Sequence, residues 1–237
     1  MSEPAIEKID GAGPLLLLCD HASDHVPADI DLGIAPELLA KHIAVDIGAG
    51  PLTLALAARL RAPALLGTVS RLVIDLHRQA DHPGLIPPVS DGHVIAGNAA
   101  PDRLARIARF HAPYHAAIDA EVRARRPGLI LSIHSFTPRL EAGNAPQRQW
   151  EAGILYNRDI RAARPAVAWL KAQGLIVGDQ EPYSGLILNA TLNRHAEANG
   201  IPSVAIEVRN DLIRDADGVA RWTEILAGLA QALLPTA

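Results

Sequence analysis

A chain of 237 residues that is 49% hydrophobic can bury a full core, and no stretch reads as a linker, so one domain over 1–237 is expected. With 22 Lys plus Arg against 26 Asp plus Glu, the net charge of -4 excludes the basic face that nucleic acid requires and points to a small-molecule partner. The single cysteine, Cys19, excludes internal disulfides, and neither an apolar leader nor a run of about 18 apolar residues occurs, so a soluble cytoplasmic protein is expected.

Leu15 to Cys19 is an unbroken apolar run that reads as a buried strand, and it gives way to Asp20-His21-Ala22-Ser23-Asp24. Pro36 to Ala44 can form a short helix. Asp46-Ile47-Gly48-Ala49-Gly50 turns into a second helix, with Pro51 at its first position and an apolar stripe over Leu52 to Leu60. Ala64 to Leu66 reads as a weak strand and Leu72 to Ile74 as a stronger one, ending in Asp75-Leu76-His77-Arg78. From Gln79 to Pro101 there is no period, and a loop of that length in a compact domain serves as a lid or a substrate wall. Pro101-Asp102 opens a helical pattern that runs to about Arg125 and bends near Pro113, with Arg103, Arg106, Arg109, Arg123, Arg125 and Arg126 as its solvated face. Leu129 to Ile133 is a central strand that delivers His134 and Ser135 to a Pro-containing loop. A strand at Gly153 to Tyr156 and a helix near Arg161 to Gln173 follow. The stretch Ile187 to Asn199 is ambiguous, with a short helix at its end. The strand Ser203 to Val208 carries Glu207, and a last helix runs from an Asp215 N-cap to Leu234. Strands alternating with helices predict a three-layer α/β fold with a mainly parallel sheet.

Three apolar strands thus end in polar groups: His21 with Asp24, His134, and Glu207 with Arg209. Ligands in open α/β sheets bind outside the carboxyl ends of strands, and two histidines with a carboxylate are the ingredients of a metal hydrolase. Glu207 suits a general base, while its place two residues from Arg209 also allows a simple ion pair on one face. His111 and His115, at i and i+4 on the long helix, read as structural. No G-x-S-x-G elbow, Walker A loop, third dinucleotide glycine or C-x-x-C occurs, which sets those chemistries aside.

The motifs LLLLCDHASDHVP, VDIGAGPLTLALAARL, SRLVIDLHR, LILSIHSF and GIPSVAIEVRNDLI, in that order, resemble the N-formylglutamate amidohydrolase family over about residues 14 to 214. That family is similar in fold to the zinc carboxypeptidases and to the succinylglutamate desuccinylase and aspartoacylase group. The resemblance implies a three-layer αβα fold whose sheet is mixed, where alternation alone suggested a parallel one, and one catalytic Zn2+. It implies His21 and His134 as zinc ligands and Glu207 as the residue that activates water. Asp75-Leu76-His77-Arg78 resembles the D-x-N-R segment that holds a substrate carboxylate, which makes Arg78 the anchor and His77 a departure from asparagine that bears on selectivity. Arg71 is a second carboxylate candidate, and Arg209 is carried with the same group. For the third ligand, the His-x-x-Glu of peptidase-like relatives favours Asp24, whereas the aspartate retained in deformylases matches Asp46; both are carried.

The implied reaction is attack of zinc-activated water on the amide of a small acidic N-acyl amino acid. N-formyl-L-glutamate, giving glutamate and formate, is the named substrate, and histidine degradation the setting. Desuccinylation and carboxypeptidase-like cleavage use nearly the same residues. A non-catalytic binding protein for small anionic amino acid derivatives is the other class, and Glu207 argues against it. No nucleic acid or membrane partner is expected, and the macromolecular partner admitted is a further copy of the chain, as a homo-oligomer.

Overall fold

Runs that are apolar at every position have no face for solvent and belong at the centre of a sheet. In the computed structural model, which describes residues 4–234, such runs are β2 (Leu15–Cys19) and β6 (Leu129–Phe136), buried along their whole length. Around them come β1 (Ile6–Ile9), α1 (Ala49–Leu60), β3 (Ala64–Gly67), the small hairpin β4 (Val89–Ser90) and β5 (His93–Val94), α2 (Arg103–Arg106), α3 (Ala112–Arg125), β7 (Ala152–Leu155), α4 (Ala163–Ala172), β8 (Val177–Asp179), α5 (Ala190–His195), β9 (Ser203–Arg209) and α6 (Ala216–Leu233). The main sheet runs β1-β3-β2-β6-β9-β7-β8. Its central strands β3, β2, β6 and β9 are parallel, β1 and β7 join antiparallel, and β8 is parallel to β7. The sheet is therefore mixed, and a parallel reading from alternation alone misses β1 and the reversed pair β7 and β8.

The two faces carry separate cores. Leu15, Leu17, Leu131, Ile133, Val204 and Ile206 pack with Leu52 and Leu56 of α1, Leu170 of α4 and Trp222 and Leu226 of α6. Leu16, Leu18, Ile130 and Ala205 pack with Tyr114 and Ile118 of α3 and Leu192 of α5. Period-2 alternation divides the strands between these layers. At the start of α1, Gly48 takes φ 81°, and a Cβ there would collide with the Ile213 carbonyl, so only glycine closes this turn.

Several expectations need correction. Leu72 to Ile74 is a buried turn, not a strand. Its backbone is satisfied within the turn and by side chains instead of a ladder: Val73 N donates to Ser70 O (2.9 Å), Ser70 Oγ accepts from Leu72 N (3.2 Å), Asn98 Nδ2 donates to Leu72 O (2.8 Å) and Arg106 donates to Val73 O (2.9 Å). Apolar content reports burial, which loops share when polar side chains serve their carbonyls. Arg106 is for the same reason buried and not on a solvated face. The long helix is capped by Asp102, which accepts from Ala105 N (2.9 Å), and Pro113 is accommodated by a widened π turn over Ile107–His111. The expected helix over Pro36 to Ala44 shrinks to a 3-10 segment, Pro36–Ala40.

Candidate active site

Strand register decides which polar groups meet. In β6 the odd positions Leu129, Leu131 and Ile133 face α1 and α6, so Ser132 and His134 face the other layer; in β9 Val204, Ile206 and Val208 do the same and leave Glu207 on the side of His134. β6 and β9 are parallel with His134 opposite Glu207, and β2 lies on the other side with Leu18 opposite Ser132. Asp20, two residues beyond Leu18, therefore arrives beside His134.

The loops after β2, after residue 44 and after residue 70 complete the constellation. His21 Nδ1 and His134 Nδ1 lie 3.2 and 2.9 Å from the same oxygen, Asp46 Oδ2. Their other ring nitrogens are held by buried carboxylates: His21 Nε2 donates to Asp75 Oδ1 (2.7 Å), and His134 Nε2 lies 3.4 Å from Asp20 Oδ2 and 3.0 Å from Ser132 Oγ. Arg71 bridges Asp46 Oδ1 (3.0 Å) and Asp75 Oδ2 (2.8 Å). Asp20 is fully buried and accepts from Tyr114 OH (2.8 Å), Thr191 Oγ1 (3.1 Å) and His77 Nδ1 (2.8 Å). A cleft of about 430 Å³ opens onto His21, Asp46, His134 and Glu207, with Arg78 and Tyr183 on its wall.

The electrostatics follow from burial and these partners. Burial alone raises Asp46, but the charges and hydrogen bonds of His21 and His134 outweigh it and hold its carboxyl well below the usual range. Burial and Arg71 push His21 down, and Asp75 and Asp46 overcome both, so it is raised. His134 is raised against its burial by Asp20 and Asp46. Burial pushes Glu207 up to about 7, and its Oε2 has no hydrogen-bond partner. Burial lowers His77 although Asp20 opposes this.

These residues fit a divalent cation. One ligand atom each from His21, Asp46 and His134 lies within 4.8 Å of the others. With both Nε2 atoms engaged by carboxylates, both Nδ1 atoms converge on Asp46, the carboxylate-histidine arrangement that orients metal ligands. Asp20, His77 and His134 form a second such group. Asp20 already has four partners and does not line the cleft, so the first group is the better cradle.

The other sequence candidates fall in several places. Asp24 is exposed and outside both converging groups. Arg78 lines the cleft, its Nε 3.8 Å from Asp75 Oδ2, while both ends of Arg71 are occupied by Asp46 and Asp75. His77 also lines the cleft. Arg209 pairs with Asp211 (2.7 Å) and donates to Trp150 O, leaving Glu207 without an ion pair to it. Sequence reasoning passed over Asp20 and Asp75 as site residues, although each ends an apolar run as His134 does. It also missed Tyr183, whose hydroxyl takes a hydrogen bond from Arg148 (3.0 Å), and His42, which bonds Asp91 Oδ2 (2.9 Å) at the cleft mouth; no local pattern marks either.

The fold has counterparts among known proteins. A solved gene product of Agrobacterium tumefaciens superposes with a TM-score of 0.91 at 31% identity, covering 98% of this chain and 95% of its own. An N-formylglutamate amidohydrolase from Ralstonia eutropha gives 0.70 at 22% identity over 98% and 96%. A succinylglutamate desuccinylase from Chromobacterium violaceum gives 0.50 at 14% over 98% and 70%, a likeness of fold. No functionally curated protein matches the sequence. The family model for N-formylglutamate amidohydrolase matches residues 13–214, and the chain therefore belongs to the N-formylglutamate amidohydrolase family.

Proposed function

We propose that the protein hydrolyses the amide bond of a small N-acyl amino acid, with N-formyl-L-glutamate as the first substrate, using one divalent metal, zinc first, held by His21, Asp46 and His134. The observation that carries this reading is Glu207: a buried carboxylate with a bare Oε2, level with His134 in the register and open to the cleft. A buried carboxylate without a partner is costly, and the cost has a reason where the oxygen must accept a proton. An ion in the cradle supplies Lewis acidity that lowers the pKa of a water and polarises the acyl carbonyl.

The chain's own groups do the rest. Glu207 takes a proton from the attacking water and returns it to the departing amine nitrogen as the C–N bond breaks, giving the free amino acid and the acyl acid. Arg78 holds the substrate carboxylate with the fork of a guanidinium. Arg71 keeps the second oxygen of Asp46 occupied, and Asp75 and Asp20 fix the two rings. The experiment is a metal-loaded assay of N-formyl, N-acetyl and N-succinyl amino acids on wild type and Glu207→Gln. The expected result is turnover of the N-formyl compounds, a drop in kcat of about 10²- to 10⁴-fold in the variant, and unchanged metal content. Turnover unaffected by the substitution rules out Glu207 as the base.

A further inference from the structure

On the far side of the Asp75-Leu76-His77-Arg78 segment from the cleft, α3 and α5 bring together three histidines and an acid that the mechanism above does not use. His115 Nε2 meets Leu76 O at 3.1 Å, and His111 Nε2 meets Arg78 O at 2.9 Å. His115 Nδ1 lies 2.7 Å from His195 Nε2, with the rings only 15° from coplanar, and His195 Nδ1 lies 2.8 Å from Asp119 Oδ1. All three histidines are buried. Asp119 sits at the partly exposed end beside Arg194 (3.2 Å).

We propose that His115, held in a single tautomer by His195 and Asp119, and His111 are positioning residues that set the place of His77 and Arg78 in the site. The inference rests on the reading of Arg78 as the carboxylate anchor. A carbonyl only accepts, so the Nε2 atoms facing Leu76 O and Arg78 O carry the hydrogens. His115 is then left with a bare Nδ1, which accepts from His195 Nε2–H in the common plane of the rings. The remaining proton lies in the contact of His195 with Asp119. Burial keeps His115 neutral, with its pKa lowered to about 3, so the tautomer is the property that His195 controls.

The Leu76 side chain packs in the core with Tyr114 and Ile118 of α3, whereas the backbone from Arg78 onward borders open space. A second cleft of about 420 Å³ separates Arg78 to Asp81 from α3 and α5, with His111 and His115 on its opposite wall. Across that space two histidine-to-carbonyl bonds, from His111 of the π turn and His115 of α3, tie the backbone of the segment to the long helix. Their i, i+4 spacing matches two carbonyls two residues apart in the turn.

The test compares metal-loaded wild type with His115→Phe, Asp119→Leu and Asp119→Asn. Leucine ends the relay at its partly exposed end, where the fold tolerates change, whereas an asparagine amide can donate to His195 Nδ1 and keep every bond with neutral groups. The expected result is a KM for the acyl amino acid raised roughly tenfold in His115→Phe and Asp119→Leu, kcat little altered, and a KM near wild type in Asp119→Asn. Lower melting temperatures with unchanged KM in the first two variants would make the histidines purely structural and overturn the proposal. Ring ¹⁵N spectra of histidine-labelled protein decide independently of turnover, so a failure of the proposed function is not confused with a failure here. His115 as the Nε2–H tautomer in wild type and in Asp119→Asn, with a mixture in Asp119→Leu, is expected; an Nδ1–H tautomer in wild type overturns it.

Discussion

At the scale of single residues, the proposed chemistry turns on Asp46, whose Oδ2 stands within 3.2 Å of both histidine Nδ1 atoms while Arg71 holds its other oxygen. Asp46→Ala is therefore expected to empty the metal site and Asp24→Ala to leave it filled, as read by elemental analysis of protein purified without chelator; equal retention in both would move the third ligand elsewhere. Arg78 differs from Arg71 in making only a 3.8 Å approach to a carboxylate, which leaves its terminal nitrogens for a ligand. Arg78→Lys replaces a planar fork by a point charge, so KM for a free-acid substrate should rise about tenfold and KM for its amide much less. An equal rise for both would make Arg78 a structural residue of the turn.

At the scale of elements, the long helix supports the site from behind without lining its cleft. α3 presents Tyr114 to Asp20 and His115 to Leu76 O, and the π turn before it presents His111 to Arg78 O. Burial lowers His115 to about 3 from 6.5 and lowers His111 as well. The unfolded chain binds protons at these rings as pH falls below 6.5, and the folded chain refuses them. Their contribution to stability is thus complete above pH 6.5 and is lost as pH falls toward 3. Urea unfolding at stepped pH between 6.5 and 4.5 should show wild type losing stability faster than His115→Phe, by up to about 1.4 kcal/mol per pH unit for one group. Parallel curves would mean that His115 titrates normally in the folded state.

For the molecule as a whole, the proposed metal site would couple folding to metal binding through the same buried charges. The carboxylates Asp20, Asp46 and Asp75 raise His21 and His134, so without a cation the site is balanced by ring protons. Loading zinc should release about one to two protons in weakly buffered solution near pH 6, measurable with a pH-stat. At a thousandfold excess over Kd, mass action adds about 4 kcal/mol, which for a chain of this size raises Tm by roughly 10 °C over the chelated protein. A Tm indifferent to chelation would count against a resident ion. The two layers of core on either side of the sheet are independent of that ion, so the chelated chain should still unfold cooperatively.

What the sequence determined by itself are the features governed by neighbours along the chain. Apolar runs bounded by polar residues placed Leu15–Cys19, the strand leading to His134 and the strand end that carries Glu207. Local capping and a Pro at the first turn marked α6 and α1. The ordered motifs carried the family and its mixed sheet. Tertiary structure alone decided what depends on loops closing over distant segments: that Asp46 and not the nearer Asp24 meets the histidines, that Arg209 turns to Asp211, and that Leu72 to Ile74 is a turn served by Asn98 and Arg106. The reason is that a residue's partners across a sheet or a cleft are set by register and packing, to which a short stretch of sequence contributes burial but not address.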